Sequence, residues 1–194
     1  KNPFDHKELY EIMDLCLSCK ACKSECPSNV DIAKLKAEFL QHYYDAHGIP
    51  LRTWAVANIS SLYHLGSLIP GFTNFLFNNN FTSSVLKRIL NFAPQRKIQN
   101  ISGINIRKQI TRLQTSQSFP NGRVYFFKDE FTSYTEADIV IKAIMLLNRL
   151  GYEVIIPRHQ PSGRSYISKG LIRKAQKIAI SNILMLKDLI TEKT

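Results

Sequence analysis

A chain of 194 residues that is 44% hydrophobic can bury one sizeable core or two smaller ones, which excludes a chain disordered throughout. Its formal charge of +11 is unevenly placed: Ala46 to Lys128 contains no Asp or Glu, while ten Lys and Arg fall there, from Arg52 to Lys128 itself. The most apolar stretch, Trp54 to Phe92, is interrupted by Ser60, Ser61, His64, Pro70 and Asn78 to Asn80, so it offers no run of about eighteen apolar residues and no membrane-spanning helix is expected.

The first expected element is a helix from about Asp5 to Leu15, which leads directly into CLSCKACKSECP. Cys16, Cys19, Cys22 and Cys26 are the only cysteines of the chain, and Pro27 follows the last. C-x2-C-x2-C-x3-C-P is the spacing of bacterial 4Fe-4S proteins, in which close thiolates wrap a cubane and the proline turns the chain away. Zinc is the alternative ion, although zinc modules usually separate two short ligand pairs by about a dozen residues or more. A disulfide pairing is the further alternative, and no apolar signal segment precedes the run. Reduced thiols in a metal-type run place the chain in the cytoplasm, or at the cytoplasmic face of a membrane.

In two-cluster proteins the fourth Cys of such a run ligates the other cluster. Cys16, Cys19 and Cys22 would then need a thiolate from a second run, which this chain lacks. Lys1 is not an initiator Met, and the chain is expected to be a piece of a longer polypeptide, holding by itself an incomplete cluster or none.

Beyond Pro27, Asp31 is a candidate N-cap for a helix carrying Ile32, Leu35, Phe39 and Tyr43 on one face until Gly48 and Pro50 end it. Helical pieces follow from Arg52 to about Phe92, with Phe72, Phe75, Phe77 and Phe81 assigned to core packing. Ala93 to Asn121, polar and basic without periodicity, is expected to be a linker. Arg123 to Phe127 and Val154 to Ile156 are expected strands around a helix from Glu136 to Leu150, hence a parallel βαβ unit with a right-handed crossover. Leu171 to Ile190 is expected to be a final helix. The expected fold class is therefore mostly α with a small parallel α/β part, divided as 1–51, 52–121 and 122–194.

The loop RHQPSGRSYISKG lacks the glycine spacing of a phosphate cradle, and Ser162 has no neighbouring His and acid to activate it, so no catalytic role is assigned there. His159 is taken as a surface or satisfied histidine. The arginines of the acid-free stretch are scattered among Ile, Leu and Asn without a recognition motif, so nucleic acid is not an expected partner. A solvated or partner-covered face is the preferred reading, with an anionic membrane surface as the alternative.

The segment CLSCKACKSECPSNVDIAKLKAEFLQHYYDAHGIPLR resembles the ferredoxin-like segment of bacterial FAD-linked oxidases fused to iron-sulfur domains, a group with D-lactate dehydrogenase-like proteins and relatives of the glycolate oxidase iron-sulfur protein. RVYFFKDEFTSYTEADIVIKAIMLLNRLGYEVIIP and GRSYISKGLIRKAQKIA resemble the cysteine-rich CCG domain of that group, also found in heterodisulfide reductase. The resemblance is most specific over residues 16–51 and 123–180. It implies an electron-transfer segment whose FAD site and substrate pocket lie in another part of the polypeptide, with that part and an electron acceptor as partners. The segment alone would not be catalytic. Where the CCG pattern has Cys-Cys-Gly-Arg, this chain has Pro161, Ser162, Gly163 and Arg164, so no metal is expected in its later half. A zinc-stapled interaction module is the competing reading.

Overall fold

The computed structural model describes residues 4–115 and 117–190. In chain order come helices Lys7–Leu15 (α1), Ala21–Glu25 (α2), Ile32–His47 (α3), Leu51–Ala57 (α4), Ile59–Gly66 (α5), Pro70–Asn78 (α6), Asn80–Ile89 (α7) and Ile106–Gln114 (α8). Strand Arg123–Tyr125 (β1), helices Glu130–Tyr134 (α9) and Ala137–Arg149 (α10), strand Glu153–Ile155 (β2), and helices Arg164–Ser168 (α11) and Ile172–Leu186 (α12) complete the order. The fold is mostly α with one small parallel βαβ part, as the sequence pattern predicts. Two compact units form: residues up to Asn58 with Ser162–Ile180, and Ile59–Pro161 with the residues from Ser181 onward. The first unit is thus assembled from two segments that are separated in sequence by the whole of Ile59–Pro161.

In the first unit α3 is the central element. Asp31 caps it, its carboxylate accepting the Lys34 N–H at 3.0 Å, and Gly48, at φ +81°, releases the chain at the other end. The buried stripe is Ala33, Lys36, Ala37, Leu40, Gln41 and Tyr44, with Phe39 beside it. Ile32 and Leu35, assigned to the buried face by their spacing, are exposed; the stripe lies about one position further along. Phe39, Leu40, Tyr44, Ala57 and Leu171 form the core, and Tyr10, Met13, Tyr43 and Tyr166 pack around it. Tyr10 stacks on Tyr43 with ring centroids 4.6 Å apart, which fixes α1 against α3. Gly170, at φ +72°, has its α-carbon so close to the Leu40 side chain that a methyl group would collide with it. Arg173 grips Asp45 through two nitrogens at 2.8 and 2.7 Å and holds that carboxyl below the usual carboxylate range.

In the second unit β1 and β2 pair in parallel, with Val124 opposite Val154. Ala137, Val140 and Ile144 of α10 cover Val154, and Gly151 at φ +83° turns the chain from that helix toward β2. An Asp129 capping box starts α9, a short helix that the sequence pattern does not resolve. The expected linker proves instead to be anchored structure. Ile106 of α8 is buried in this core, and Ile110 and Leu113 pack against it, so the basic residues of α8 occupy only its outer side. Upstream, the Asn74 side-chain amide donates to the Ile101 carbonyl at 2.8 Å and accepts its N–H at 2.7 Å, satisfying a stretch of backbone without a strand. A second correction concerns the aromatic residues: Phe72, Phe75 and Phe81 are exposed, because α6 and α7 turn Thr73, Asn74, Thr82 and Ser83 inward.

Replacing Ile106 with Ala is expected to lower unfolding stability by about 2–4 kcal/mol, read from the urea midpoint, as for other buried aliphatic truncations. A free linker would show no loss. Burial pushes the Tyr44 phenol up to about 12, with the Thr53 hydroxyl opposing. Because the folded pKa is raised, that residue's contribution is whole below the unfolded value near about 10 and is lost as pH rises toward the folded one. Tyr44→Phe should therefore remove about 1–2 kcal/mol of the alkaline loss of stability, measured by denaturant melts at rising pH.

Candidate metal centre

All four cysteines lie between the end of α1 and the start of α3. The Cys16 N–H returns to the Met13 carbonyl at 3.2 Å, closing α1, and Ser18 and Lys20 then adopt left-handed conformations at φ +57° and +63°. That double reversal sets Cys19 at the loop apex and starts α2, which carries Cys22. The Cys26 N–H bonds the Cys22 carbonyl at 3.0 Å, and Asn29, at φ +55°, bends the chain after Pro27 toward the Asp31 cap.

Backbone amides converge on two of the sulfurs. The Ser18 N–H donates to Cys16 Sγ at 3.4 Å. At Cys26 the N–H groups of Val30, Ser28 and Asn29 draw the thiol below its usual range. Such donors stabilise sulfur as thiolate, the form that binds metal. All four thiols are free and none is fully buried, with Cys19 the most open. Among the described residues no three His, Cys, Asp or Glu side chains are gathered into one metal-holding group. Four thiols with amide donors at two of them are a donor set of the chemistry that suits an iron-sulfur group, although among the described residues they are not gathered into one metal-holding group.

One further residue touches this loop, and sequence reasoning passes over it. Lys36 is 3% exposed, in the middle of the buried stripe of α3, and its Nζ donates to the Cys16 carbonyl at 2.6 Å. The legible signal was positional: Lys36 stands three residues after Ala33 and four before Leu40. Lys169 lies close behind, 4.0 Å from Asp14, and its amine is held below the ordinary lysine range. Burial is the main cause; the Lys36 and Arg52 cations push the same way and Asp14 opposes them.

The remaining candidates fall elsewhere. His159 stacks on Phe127 at 4.1 Å and its Nδ1 lies 2.7 Å from the Gln160 carbonyl, a half-buried packing residue. The Arg164 N–H donates to Ser162 Oγ at 3.2 Å, and Gly163, at φ +78°, begins α11. An open groove beside β1, lined by Val124, Tyr125, Phe127, Pro157 and Leu186, is apolar, and Arg123 at its edge is paired with Glu153. Among the described residues no helix is long and apolar enough to cross a membrane.

Over 187 residues the chain is 30% identical to D-2-hydroxyglutarate dehydrogenase of Pantoea ananatis, covering 91% of this chain and 18% of that protein. It is 27% identical over 184 residues to the protein of the same name from Escherichia coli, again across 91% of this chain and 18% of the relative. The Pseudomonas putida protein of that name is 26% identical over 197 residues, 96% of this chain and 19% of the relative. The chain thus spans about a fifth of the length of these curated relatives. No family model matches the chain. No solved structure matches it.

Replacing Ser162 with Ala is expected to leave the metal content of the protein unchanged, whereas Cys16→Ser lowers it, because hydroxyl and proline cannot stand in for thiolates at a soft iron site. Metal analysis of the two purified variants decides, and a loss of iron from the Ser162 variant would mean that the later half also binds metal.

Proposed function

We propose that this chain is the iron-sulfur electron-transfer segment of a flavin-dependent 2-hydroxy-acid dehydrogenase, acting on a D-2-hydroxyglutarate-like substrate. One observation carries the reading: a four-cysteine loop of 4Fe-4S spacing, supplied with amide donors at Cys16 and Cys26, sits in a chain that aligns over nine tenths of its length with proteins named D-2-hydroxyglutarate dehydrogenase. Oxidation of a 2-hydroxy acid to the 2-oxo acid releases two electrons and two protons. FAD held outside this segment accepts the pair. A bound iron-sulfur group supplies one-electron transfer, so that the pair can leave the flavin singly toward an acceptor.

Cys16, Cys19 and Cys22 are the ligands of one group in this reading, and Cys26 belongs to the ligand set of a second. The amides of Ser28, Asn29 and Val30 favour the thiolate of Cys26, the Ser18 amide donates to Cys16 Sγ, and the packing of α1 on α3 fixes where the loop stands.

The test is Cys19→Ser in the intact protein. Flavin bleaching by the 2-hydroxy acid should proceed at the wild-type rate, while turnover with an external acceptor falls by about 100-fold or more, since loss of a ligand exceeds the cost of losing a supporting hydrogen bond. Equal loss of both would count against the assignment. Iron with acid-labile sulfide in the wild type supports the reading; zinc without sulfide would replace it with the structural module.

A further inference from the structure

The first unit collects positive charge where its cysteines are. Lys36 is nine-tenths buried or more, its Nζ fastened to a carbonyl and to no carboxylate among the described residues. Lys169 lies close enough to feel the Lys36 and Arg52 cations, and Asp14 is the one acid whose charge acts on it. Burying an ammonium costs several kcal/mol unless an opposite charge or strong acceptors compensate it. The Cys16 carbonyl is one acceptor for three N–H donors. Repulsion from Lys169 raises the cost. An anion beside the loop would compensate that charge.

We propose that Lys36, reinforced by Lys169, is the counter-cation of the thiolate-bound iron-sulfur group, a positioning residue that sets the group's reduction potential. The inference rests on the functional reading above. Four thiolates around a cubane leave a net negative charge, and each added electron makes it more negative. A buried cation favours the reduced form more than the oxidised one. Lys36 therefore raises the midpoint potential, and its hydrogen bond to the Cys16 carbonyl keeps that charge beside the loop. A neutral donor could hold the loop as well, but it would not bring the full unit of charge by which Lys36 shifts the potential.

The experiment uses the intact protein, reconstituted without oxygen, with iron and sulfide counted per chain and the midpoint taken from the electron paramagnetic resonance signal of the reduced cluster during a dye-mediated redox titration. Lys36→Met is expected to shift the midpoint to more negative values at full loading. Lys36→Arg should keep it near wild type. Lys169→Met, which breaks no hydrogen bond to the loop, should shift it the same way by a smaller amount. If Lys36→Met fails to fold or to load, the pair Lys36→Arg and Lys169→Met decides by the same criterion. Unchanged midpoints in the loaded Met variants would overturn the counter-cation role while leaving the electron-transfer reading intact. Wild-type protein that holds zinc or no metal would overturn the reading itself, and this inference with it.

Discussion

The hydrogen bond from the Lys36 ammonium to the Cys16 carbonyl joins the cysteine loop to the helix on which the first unit is built. Lys36 sits in the same stripe as Ala37, Leu40 and Tyr44, so its position is set by packing rather than by the loop. Leu40 is fixed in turn by Leu171 and by the close approach of Gly170, and Tyr44 by the Tyr10 ring of α1. A side chain anchored this way cannot retreat into solvent without opening the core. The loop therefore inherits the rigidity of α3, although its own residues are exposed and short of packing partners.

Strain is concentrated in the same place. Among the described residues only Ser18, Lys20, Asn29 and Asn91 have positive φ without being glycine, and three of them flank the cysteines. Each costs about 1–2 kcal/mol against an ordinary conformation, and such costs persist where surrounding structure or function imposes them. The reversal at Ser18 accompanies a backbone N–H given to Cys16 Sγ. Glycine at these positions would relieve the strain and loosen the loop. Serine, lysine and asparagine keep fewer alternatives open to the unfolded chain.

The cysteine spacing, the Asp31 cap and the βαβ order were legible because each depends on local chemistry: ligand reach, a side-chain oxygen at a helix start, and apolar period. The buried face of α3 was not. Ile32 and Leu35 are larger and more apolar than Ala33 and Lys36, yet they are exposed; hydropathy records what a residue prefers, while the neighbours that decide its surroundings come from Leu171 and Gly170, more than a hundred positions away. Residues 93–121 were misread for a related reason. Ile106, Ile110 and Leu113 have helical spacing, but the Arg, Lys and Gln between them lower the average that a window reports. The Asn74 bridge to Ile101 pairs one amide across twenty-seven positions and has no periodic signature at all.

Charge shows the same gap between count and effect. The acid-free stretch dominates the formal charge of +11, but Arg123 is paired with Glu153, Lys87 bonds the Pro94 carbonyl at 2.9 Å, and Lys128 is half-buried with its amine lowered, by burial first and by Arg107 second. Arg88, Arg96 and Lys97 are exposed, and at physiological ionic strength the field of an exposed charge fades over about 8 Å. Lys36 adds a single unit of charge, yet solvent and salt screen it far less because it is buried. Beside the cysteine loop, the buried charge of Lys36 with Lys169 near it therefore counts for more than the exposed cations whose number stands out in the sequence. Removing the exposed ones changes the net charge; removing Lys36 changes the potential at the sulfur atoms.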